Sequence, residues 1–378
     1  MAKTNVLAAP RQNASSRSFG YTFPAIRGVQ AGREYYVSMC PLRLIPRIFL
    51  FNEEELVPEL RAQRVLNRAR IPEISRYMLA NRCDYTFSAL TASIDGEAQF
   101  LPVEDPGGVP LLGSLHVSMD ARFVINDGQH RRAAIEAAIR ENPDLADESI
   151  AVVFFIDVGL NRCQQMFADL NRYAVRPSPS LGVLYDHRDA VGVMLRDWIV
   201  KHPIYRELTE MEKTTLSPRS RKLFTLSALY NATLALLGST DERDPDASHL
   251  KLQVYWNELI QHFPAWTMVA QGQQAAAEIR RDYIHSHGTA LHALGKLCAA
   301  LMAGRPNDWK ILLARLQQID WSRRNTSLWE GRAMIGGKVS KSSTNVVLVA
   351  NVLKHHLDLT LNEDEKRIED AYLASKND

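Results

Sequence analysis

The sequence contains only four cysteines in 378 residues, and this scarcity limits the kinds of site that it can build. Cys40, Cys83, Cys163 and Cys298 are widely spaced and form no Cys-x-x-Cys pair. This pattern argues against a zinc site, an iron–sulfur cluster and a disulfide framework. It favours isolated thiols in a reducing compartment.

Excess charge and long apolar runs are also missing. The net charge is +2 at pH 7, from 45 basic and 43 acidic residues, so no global basic field indicates a nucleic-acid partner, although a local basic patch is compatible with this balance. No apolar run approaches membrane-spanning length, and the first residues lack the apolar segment of a secretory signal. We therefore expect a cytoplasmic globular protein with one large domain or two ordinary ones.

Several common binding motifs are absent. The sequence contains no G-x-x-x-x-G-K-[ST] motif, so a nucleotide site in this chain has to be of another kind. Neither a helix-turn-helix nor a zinc-finger pattern is evident.

The hydrophobic pattern divides the chain into three parts. Residues 1–20 are polar or small and predict a flexible arm, residues 21–189 alternate between strand and helix patterns, and residues 190–378 are almost entirely helical. The predicted fold is therefore an α+β N-terminal domain joined to an α-helical C-terminal region. The predicted strands are residues 35–39, 42–51, 85–94 and 150–158, with a hairpin of residues 115–118 and 122–126; a solvated loop is predicted at residues 239–248.

The most informative stretch is the junction that follows the apolar run Phe123 to Asn126. A helical pattern starts within two residues of this run, and a helix N-terminus offers unpaired N–H groups and a positive dipole to a phosphate. The glycine at the junction permits a sharp turn and a close ligand approach. The candidate phosphate or nucleotide site comprises Asp127, Gly128, Gln129, His130, Arg131 and Arg132. An ordinary turn whose arginines form a solvated helix face explains the same composition.

A second polar cluster, Asp169 to Tyr173, follows the strand predicted at residues 150–158. Asp169 and Asn171 offer oxygen ligands for Mg²⁺, and Arg172 offers a phosphate clamp. The cluster would meet the first turn if the two strands are neighbours. The alternative is that Asp169 and Arg172 simply pair on a helix surface.

These two clusters carry a family resemblance. Asp127-Gly128-Gln129-His130-Arg131 is the signature of the DGQHR-domain proteins, which look like relatives of the ParB and sulfiredoxin superfamily. The stretch from Phe167 to Ala174, followed by Arg176-Pro177-Ser178, resembles the second motif of that group. Over nearly the whole chain, the sequence is similar to the DndB family of the DNA phosphorothioation system, in which sulfur replaces a non-bridging phosphate oxygen.

The resemblance implies a ParB/sulfiredoxin-like domain at residues 21–189 and a DNA-binding regulatory or accessory role, with repression of the modification operon. It makes binding or hydrolysis of ATP or another nucleotide with Mg²⁺ plausible, alongside other phosphorothioation proteins as partners. The sequence departs from sulfiredoxin because Gln129 occupies the position of the reactive cysteine. Reduction of a cysteine sulfinic acid is therefore not expected.

Basic residues recur in three clusters that are candidate DNA contacts. The first lies on two N-terminal helices, between Arg61 and Arg76. The other two supply the predicted DNA-binding residues, which are Arg219, Arg221 and Lys222 near residues 214–218, and Arg323, Arg324 and Lys338 in a flexible, glycine- and serine-rich stretch that also holds Lys341. An ordinary solvated surface is the alternative for each cluster.

The segment Tyr283 to Gly288 holds two histidines, His285 and His287, with His292 nearby. Their spacing favours a helix boundary over a metal site.

The predicted function is a DNA-binding regulator of phosphorothioation that binds double-stranded DNA and self-associates through its helical half. Two alternatives stay open. One is a magnesium-dependent ATPase acting on DNA, with Asp127, His130 and Asp169 as catalytic residues. The other is a passive DNA-binding module without nucleotide chemistry.

Overall fold

The computed structural model describes residues 19–49, 68–103, 111–156, 165–166, 168–170, 177–238 and 244–377. The chain divides into two compact units between Val175 and Arg176. The first unit is a mixed sheet with helices and the second is almost entirely helical, so the predicted α+β class is confirmed. Most of the predicted N-terminal arm lies outside the described residues.

The first unit is built on a seven-stranded sheet. Its order is β4-β5-β1-β2-β7-β3-β6, and all neighbours are antiparallel except β3 and β7, which are parallel. The strands are β1 (Gly20–Gln30), β2 (Arg33–Pro41), β3 (Leu90–Asp95), β4 (Ala98–Pro102), β5 (Leu112–Ser118), β6 (Arg122–Asp127) and β7 (Ser149–Ile156).

A short connection between β3 and β4 and an aromatic cluster show that this sheet is strongly curled. Only residues 96–97 connect β3 to β4, although five strand spacings, about 24 Å in a flat sheet, separate these strands in the sheet order. Two intervening residues reach at most about 11 Å. The concave face holds an aromatic cluster, in which Phe123 of β6 lies 6.2 Å from Phe23 of β1 and 5.8 Å from Phe154 of β7 between ring centroids.

The predicted hairpin of residues 115–118 and 122–126 is wrong in its pairing. The two strands exist, but β5 pairs with β1 and β4, and β6 pairs with β3. The turn between them connects two strands that lie near opposite edges of the curled sheet. A turn motif in the sequence predicts where one strand ends and the next begins, but the pairing of a strand also depends on segments that are distant in the sequence.

Helices cover the sheet of the first unit. They are α1 (Ile45–Ile48), α2 (Arg70–Ala80) and α3 (Gln129–Glu141), with 3-10 turns at Leu42–Leu44 and Pro143–Asp147. The strand predicted at residues 42–51 is therefore wrong, because residues 42–48 are helical. Pro46 lies in the first turn of α1, where a missing N–H group has no intrahelical partner to lose.

The second unit consists of helices around one core, in which α11 packs against α7 and α14. Gly295 of α11 permits the close approach to α7, because an added Cβ atom would lie 2.2 Å from the carbonyl oxygen of Ala232. The helices are α4 (Pro179–Tyr185), α5 (Ala190–Lys201), α6 (Pro203–Leu208), α7 (Leu226–Leu237), α8 (Pro245–Leu259), α9 (Pro264–Ala270), α10 (Ala276–Asp282), α11 (Gly288–Gly304), α12 (Trp309–Ala314), α13 (Thr326–Trp329), α14 (Ser343–His356) and α15 (Glu363–Asn377).

Two details of the second unit differ from the sequence-based expectations. Helix α4 lies within the residues expected to form the first domain, but it packs against α7, where the hydroxyl of Ser180 lies 3.1 Å from that of Ser227. The loop predicted at residues 239–248 ends early, because Asp244 caps α8 by accepting a hydrogen bond from the Ala247 N–H at 2.9 Å. None of the described helices combines the length and the apolar character that a bilayer crossing requires.

Two small sheets complete the second unit. Strand β8 (Thr209–Glu210) pairs in parallel with β9 (Phe224–Thr225). Strands β10 (Met334–Ile335) and β11 (Lys338–Val339) form a hairpin whose turn residues, Gly336 and Gly337, both have positive φ. The sequence predicted a flexible loop here, and that prediction is wrong for residues 334–339. Two consecutive glycines are also suited to a tight hairpin turn, which is the structure that they form.

Candidate functional sites

The Asp127–Arg132 turn joins β6 to α3 in the expected strand-turn-helix geometry. Gly128 has φ +105°, and an added Cβ atom would lie 2.3 Å from the Leu90 side chain. Only glycine therefore fits this position without strain. Gly128 offers no side chain to cap α3, so the N–H groups of the first turn face outward from the helix end without a side-chain acceptor.

Arg131 is tied to the protein itself. One guanidinium nitrogen donates hydrogen bonds to the carbonyl oxygens of Ser88 at 2.5 Å and Ala89 at 2.9 Å, and also to the Ser88 hydroxyl. The other donates to the Asp127 carboxylate at 2.6 Å. These contacts fix the segment before β3 to the end of β6. The positive charge of Arg131 compensates the negative charge of Asp127, which is one of the carboxylates that the sequence predicted to be catalytic.

Arg132 is more deeply buried, with 8% of the residue exposed. Its Nε donates to the Phe49 carbonyl at 2.9 Å, one terminal nitrogen donates to the Pro46 carbonyl at 3.1 Å, and the other contacts Glu136. Arg132 thus fastens α3 to the end of α1. The two arginines of the motif act as structural connectors in this geometry.

The groups of the turn that are left to meet a ligand are the backbone N–H groups and Gln129, with the His130 ring next to them. In the part of the chain that the structure describes, the Gln129 side chain has no hydrogen bond partner. Burial and the charge of Arg70 lower the pKa of His130, against an opposing effect of Asp127, so its neutral form is favoured at pH 7. Asn126, which is fully buried beside the turn, has a side-chain oxygen without a described partner.

The second cluster is described only in part. Residues 165–166 and 168–170 are helical, and the Met166 sulfur lies 3.1 Å from the Asn126 side-chain nitrogen, which brings this segment to the end of β6. Asp169 is exposed and accepts a hydrogen bond from Gln165 at 2.8 Å. Asn171 and Arg172 lie outside the described residues. Among those that are described, no group of three or more potential metal ligands occurs.

In the second unit, the structure brings two basic clusters together. The Arg280 guanidinium donates hydrogen bonds to the carbonyls of Ser217, Pro218, Ser220 and Lys222, and so anchors the segment that carries Arg219 and Arg221. The next residue, Arg281, offers its carbonyl to Arg323 at 3.0 Å, and Arg323 also donates to the Gly337 carbonyl next to Lys338. A continuous series of contacts therefore connects segments that are more than a hundred residues apart.

Four cations of these segments form what we call the basic rim: Arg219, Arg221, Arg324 and Lys338. All four are exposed, and within the described residues none forms a salt bridge, although the pKa of Asp282, which is lowered mainly by its hydrogen bond with Arg281, is lowered further by the charge of Arg324. Two other expected DNA contacts differ from them. Arg323 holds the two carbonyls described above, and the Lys222 ammonium donates to the Arg206 carbonyl at 3.2 Å.

A cavity of about 660 Å³ opens between the two basic clusters. It is lined by residues of the 214–218 segment, by α7, by Arg280 and Arg281, by the first residues of α11 and by Lys341. Arg280, Arg281 and Ser286 were not predicted from the sequence as site residues. The only sequence signal was their position next to the histidine-containing segment at residues 283–288.

The histidines of that segment serve the fold. His285 is buried, and its Nδ1 accepts a hydrogen bond from the Trp266 indole N–H at 2.9 Å. Burial lowers the pKa of His285 to about 3, so the ring is neutral. His287 precedes α11 and its Nε2 lies 2.8 Å from the Arg280 carbonyl, to which it therefore donates.

The chain is thus a two-unit α+β protein with a strand-turn-helix motif in one unit and a basic cavity in the other. A family model described as DndB, DNA-sulfur modification-associated, matches residues 23–360. The chain therefore belongs to the DndB family of DNA-sulfur modification-associated proteins, as the resemblance implied. No curated protein and no solved structure gave a match.

Proposed function

We propose that this DndB-family protein is a DNA-binding regulatory or accessory protein of DNA phosphorothioate modification that represses the modification operon. The observation that carries the proposal is the basic rim. Its four exposed cations form no salt bridge among the described residues, so contact with DNA requires no salt bridge to break. Arginine and lysine at phosphates release counterions, which supplies sequence-independent affinity in a chain of near-neutral net charge.

Salt dependence tests this proposal. Each phosphate contact contributes about 0.9 to the slope of log K against log salt concentration. The double variant Arg324→Gln/Lys338→Gln should therefore lower the slope by about 1.8, whereas an uninvolved surface pair should leave it unchanged. Lys366→Gln/Arg367→Gln is the matched control, because both residues lie on α15 and pair locally with Glu363 and Asp364.

The assay is fluorescence anisotropy with duplex DNA at several salt concentrations. If the rim and control variants have the same slope of log K against log salt concentration, the basic rim does not contact DNA. If the protein does not bind duplex DNA even at low salt, the proposal of a DNA-binding protein is wrong. Repression further requires tighter binding to the operon promoter than to random duplex, since regulation depends on a specificity ratio.

A second candidate site is the Asp127–Arg132 turn, which we propose as a phosphate or nucleotide site of a ParB/sulfiredoxin-like domain. The unpartnered Asn126 oxygen and the uncapped N-terminus of α3 support it. Since both arginines are engaged elsewhere, the phosphate would be held by backbone N–H groups, with Gln129 and His130 beside them. The described residues alone do not assemble a magnesium site, so we derive no catalytic step from them.

The magnesium-dependent ATPase and the passive DNA-binding module stay predictions. Measurement of ATP hydrolysis separates them, because only the ATPase turns ATP over. A cytoplasmic location, self-association of the helical unit and contacts with other phosphorothioation proteins belong to the same proposal.

A further inference from the structure

The cavity of the second unit has the features of a built anion site. Helix α11, 17 residues long, begins at its wall, and no side chain caps the N-terminus of this helix. Its dipole and its first N–H groups favour negative charge. Gly288, the first residue of the helix, is exposed and lines the cavity.

A buried hydroxyl is an independent sign of a ligand. Ser286 also lines the cavity and is 4% exposed, yet its Oγ has no hydrogen bond partner in the described part of the chain. Buried polar atoms are almost always paired, so an orphaned one in a cavity wall needs an explanation. A ligand oxygen supplies the missing partner.

The charges around the cavity have one sign. Arg280, Arg281 and Lys341 line it, and none of the lining residues in the described ranges is acidic. Arg281 pairs with Asp282 outside the lining, whereas Lys341 has no described ion-pair partner. The pKa of His287 is lowered mainly by burial and further by the charges of Arg323, Arg280 and Lys341, in keeping with a positive field.

The remaining wall is apolar, and the cavity is larger than a bare phosphate needs. Leu216, Leu223, Ala228 and Val346 contribute to the lining. The volume of about 660 Å³ falls in the range of small-molecule sites, which combine apolar walls with a few polar anchors.

We propose that this cavity binds a phosphate monoester carried on a nucleoside-sized body. The phosphate lies at the N-terminus of α11 between Ser286 and Lys341, and the nucleoside lies against the apolar wall. The ester comes either from a free nucleotide or from a 5′-phosphorylated DNA end. This site is separate from the basic rim, because in the described structure none of the rim residues lines the cavity.

Calorimetry with AMP, adenosine and orthophosphate tests the site on the full chain. AMP should bind more tightly than orthophosphate, and adenosine should not bind measurably. Lys341→Gln and Ser286→Ala should each raise the Kd for AMP by about tenfold or more, as expected for the loss of one hydrogen bond to a charged group. Lys366→Gln is the control, since it removes a lysine charge that belongs neither to the cavity lining nor to the basic rim.

A second arm compares duplex DNA with and without a 5′-phosphate by anisotropy. If only the phosphorylated end responds to Lys341→Gln and AMP does not bind, the DNA end is the source of the ester. Absence of binding in both arms overturns the proposal, as does binding that neither variant weakens. The basic-rim proposal is tested separately, by the effect of Arg324→Gln/Lys338→Gln on the salt dependence of DNA binding. Neither cavity variant, Lys341→Gln or Ser286→Ala, is used in that test.

Discussion

Arg132 offers the sharpest test of how the DGQHR motif works. If it connects α3 to α1, as its contacts indicate, Arg132→Met should destabilise the first unit. The substitution retains a long side chain suited to a helix, but leaves the buried Phe49 carbonyl and the half-buried Pro46 carbonyl without their donor. An unsatisfied buried group costs about 1–3 kcal/mol, so the expected loss is about 2–4 kcal/mol of unfolding free energy.

Arg140 provides a matched control within the same helix. It contacts the other oxygen of Glu136, but its side chain is 76% exposed. Arg140→Met should therefore cost less than about 0.5 kcal/mol, as is typical of a surface pair. Both substitutions remove one arginine next to one carboxylate, so their difference measures the buried carbonyl contacts.

The two units can be followed separately in one urea titration. All six tryptophans lie beyond residue 176, so their fluorescence reports on the second unit. Cys40 of β2 is fully buried, and burial raises the pKa of its thiol to about 11, so it reacts slowly until the first unit unfolds. Thiol labelling read by peptide mass spectrometry then reports on the first unit. A Cys40 midpoint that is the same in Arg132→Met and Arg140→Met would refute the structural role.

The remaining predictions concern the second unit. Because burial lowers the pKa of His285, its contribution to stability is complete above its unfolded pKa of about 6.5 and declines as the pH falls towards 3. Urea midpoints from tryptophan fluorescence should thus fall more between pH 7 and pH 5 in the wild type than in His285→Gln; parallel pH profiles would contradict this. Gly295→Ala should destabilise this unit by about 1–3 kcal/mol through overpacking against α7, whereas Gly304→Ala in the same helix meets no atom within 4 Å and should be nearly neutral. Equal midpoints for the two glycine variants would show that α7 moves away without cost.

Local patterns predicted the helices of the second unit better than the sheet of the first. The helices at α5, α7, α11 and α14 follow amphipathic or apolar periodicity, which is read within one segment. The order of the strands is set by contacts between distant segments, and a parallel neighbour such as β7 for β3 leaves no local signal. This is why β2, β5, β6, β7 and most of β3 were predicted, whereas β1, β4 and the pairing of the strands were not.

The candidate site shows the same division between local and distant information. The positive φ of Gly128 and the start of α3 follow from the sequence around residue 128, and both appear in the structure. The roles of the two arginines do not follow from it, because the carbonyl acceptors of Arg131 and Arg132 lie 42 to 86 residues earlier in the chain. Composition alone shows a basic turn and cannot show that its charges are already bound.

The convergence of two basic clusters was equally hidden, because Arg280 was not predicted as a site residue and Arg323 was predicted to contact DNA and not to join segments of the protein. Arg280 and Arg323 donate to backbone carbonyls, and each connects segments that are distant in the sequence. Their consequence is electrostatic: they hold the exposed cations of the rim at defined positions around the cavity.

Arg131 and Arg132 of the motif are hydrogen-bonded within the protein, whereas the cations of the basic rim form no salt bridge in its described part. Substitutions at the two places should therefore have different effects. Loss of Arg132 should appear as unfolding of the first unit, with the salt dependence of DNA binding unchanged in the molecules that stay folded. Loss of a rim cation should leave both unfolding transitions in place and lower the salt slope. A motif rich in arginine therefore does not by itself mark the surface that meets a phosphate backbone. We expect that surface where the exposed cations form no salt bridge within the described part of the protein.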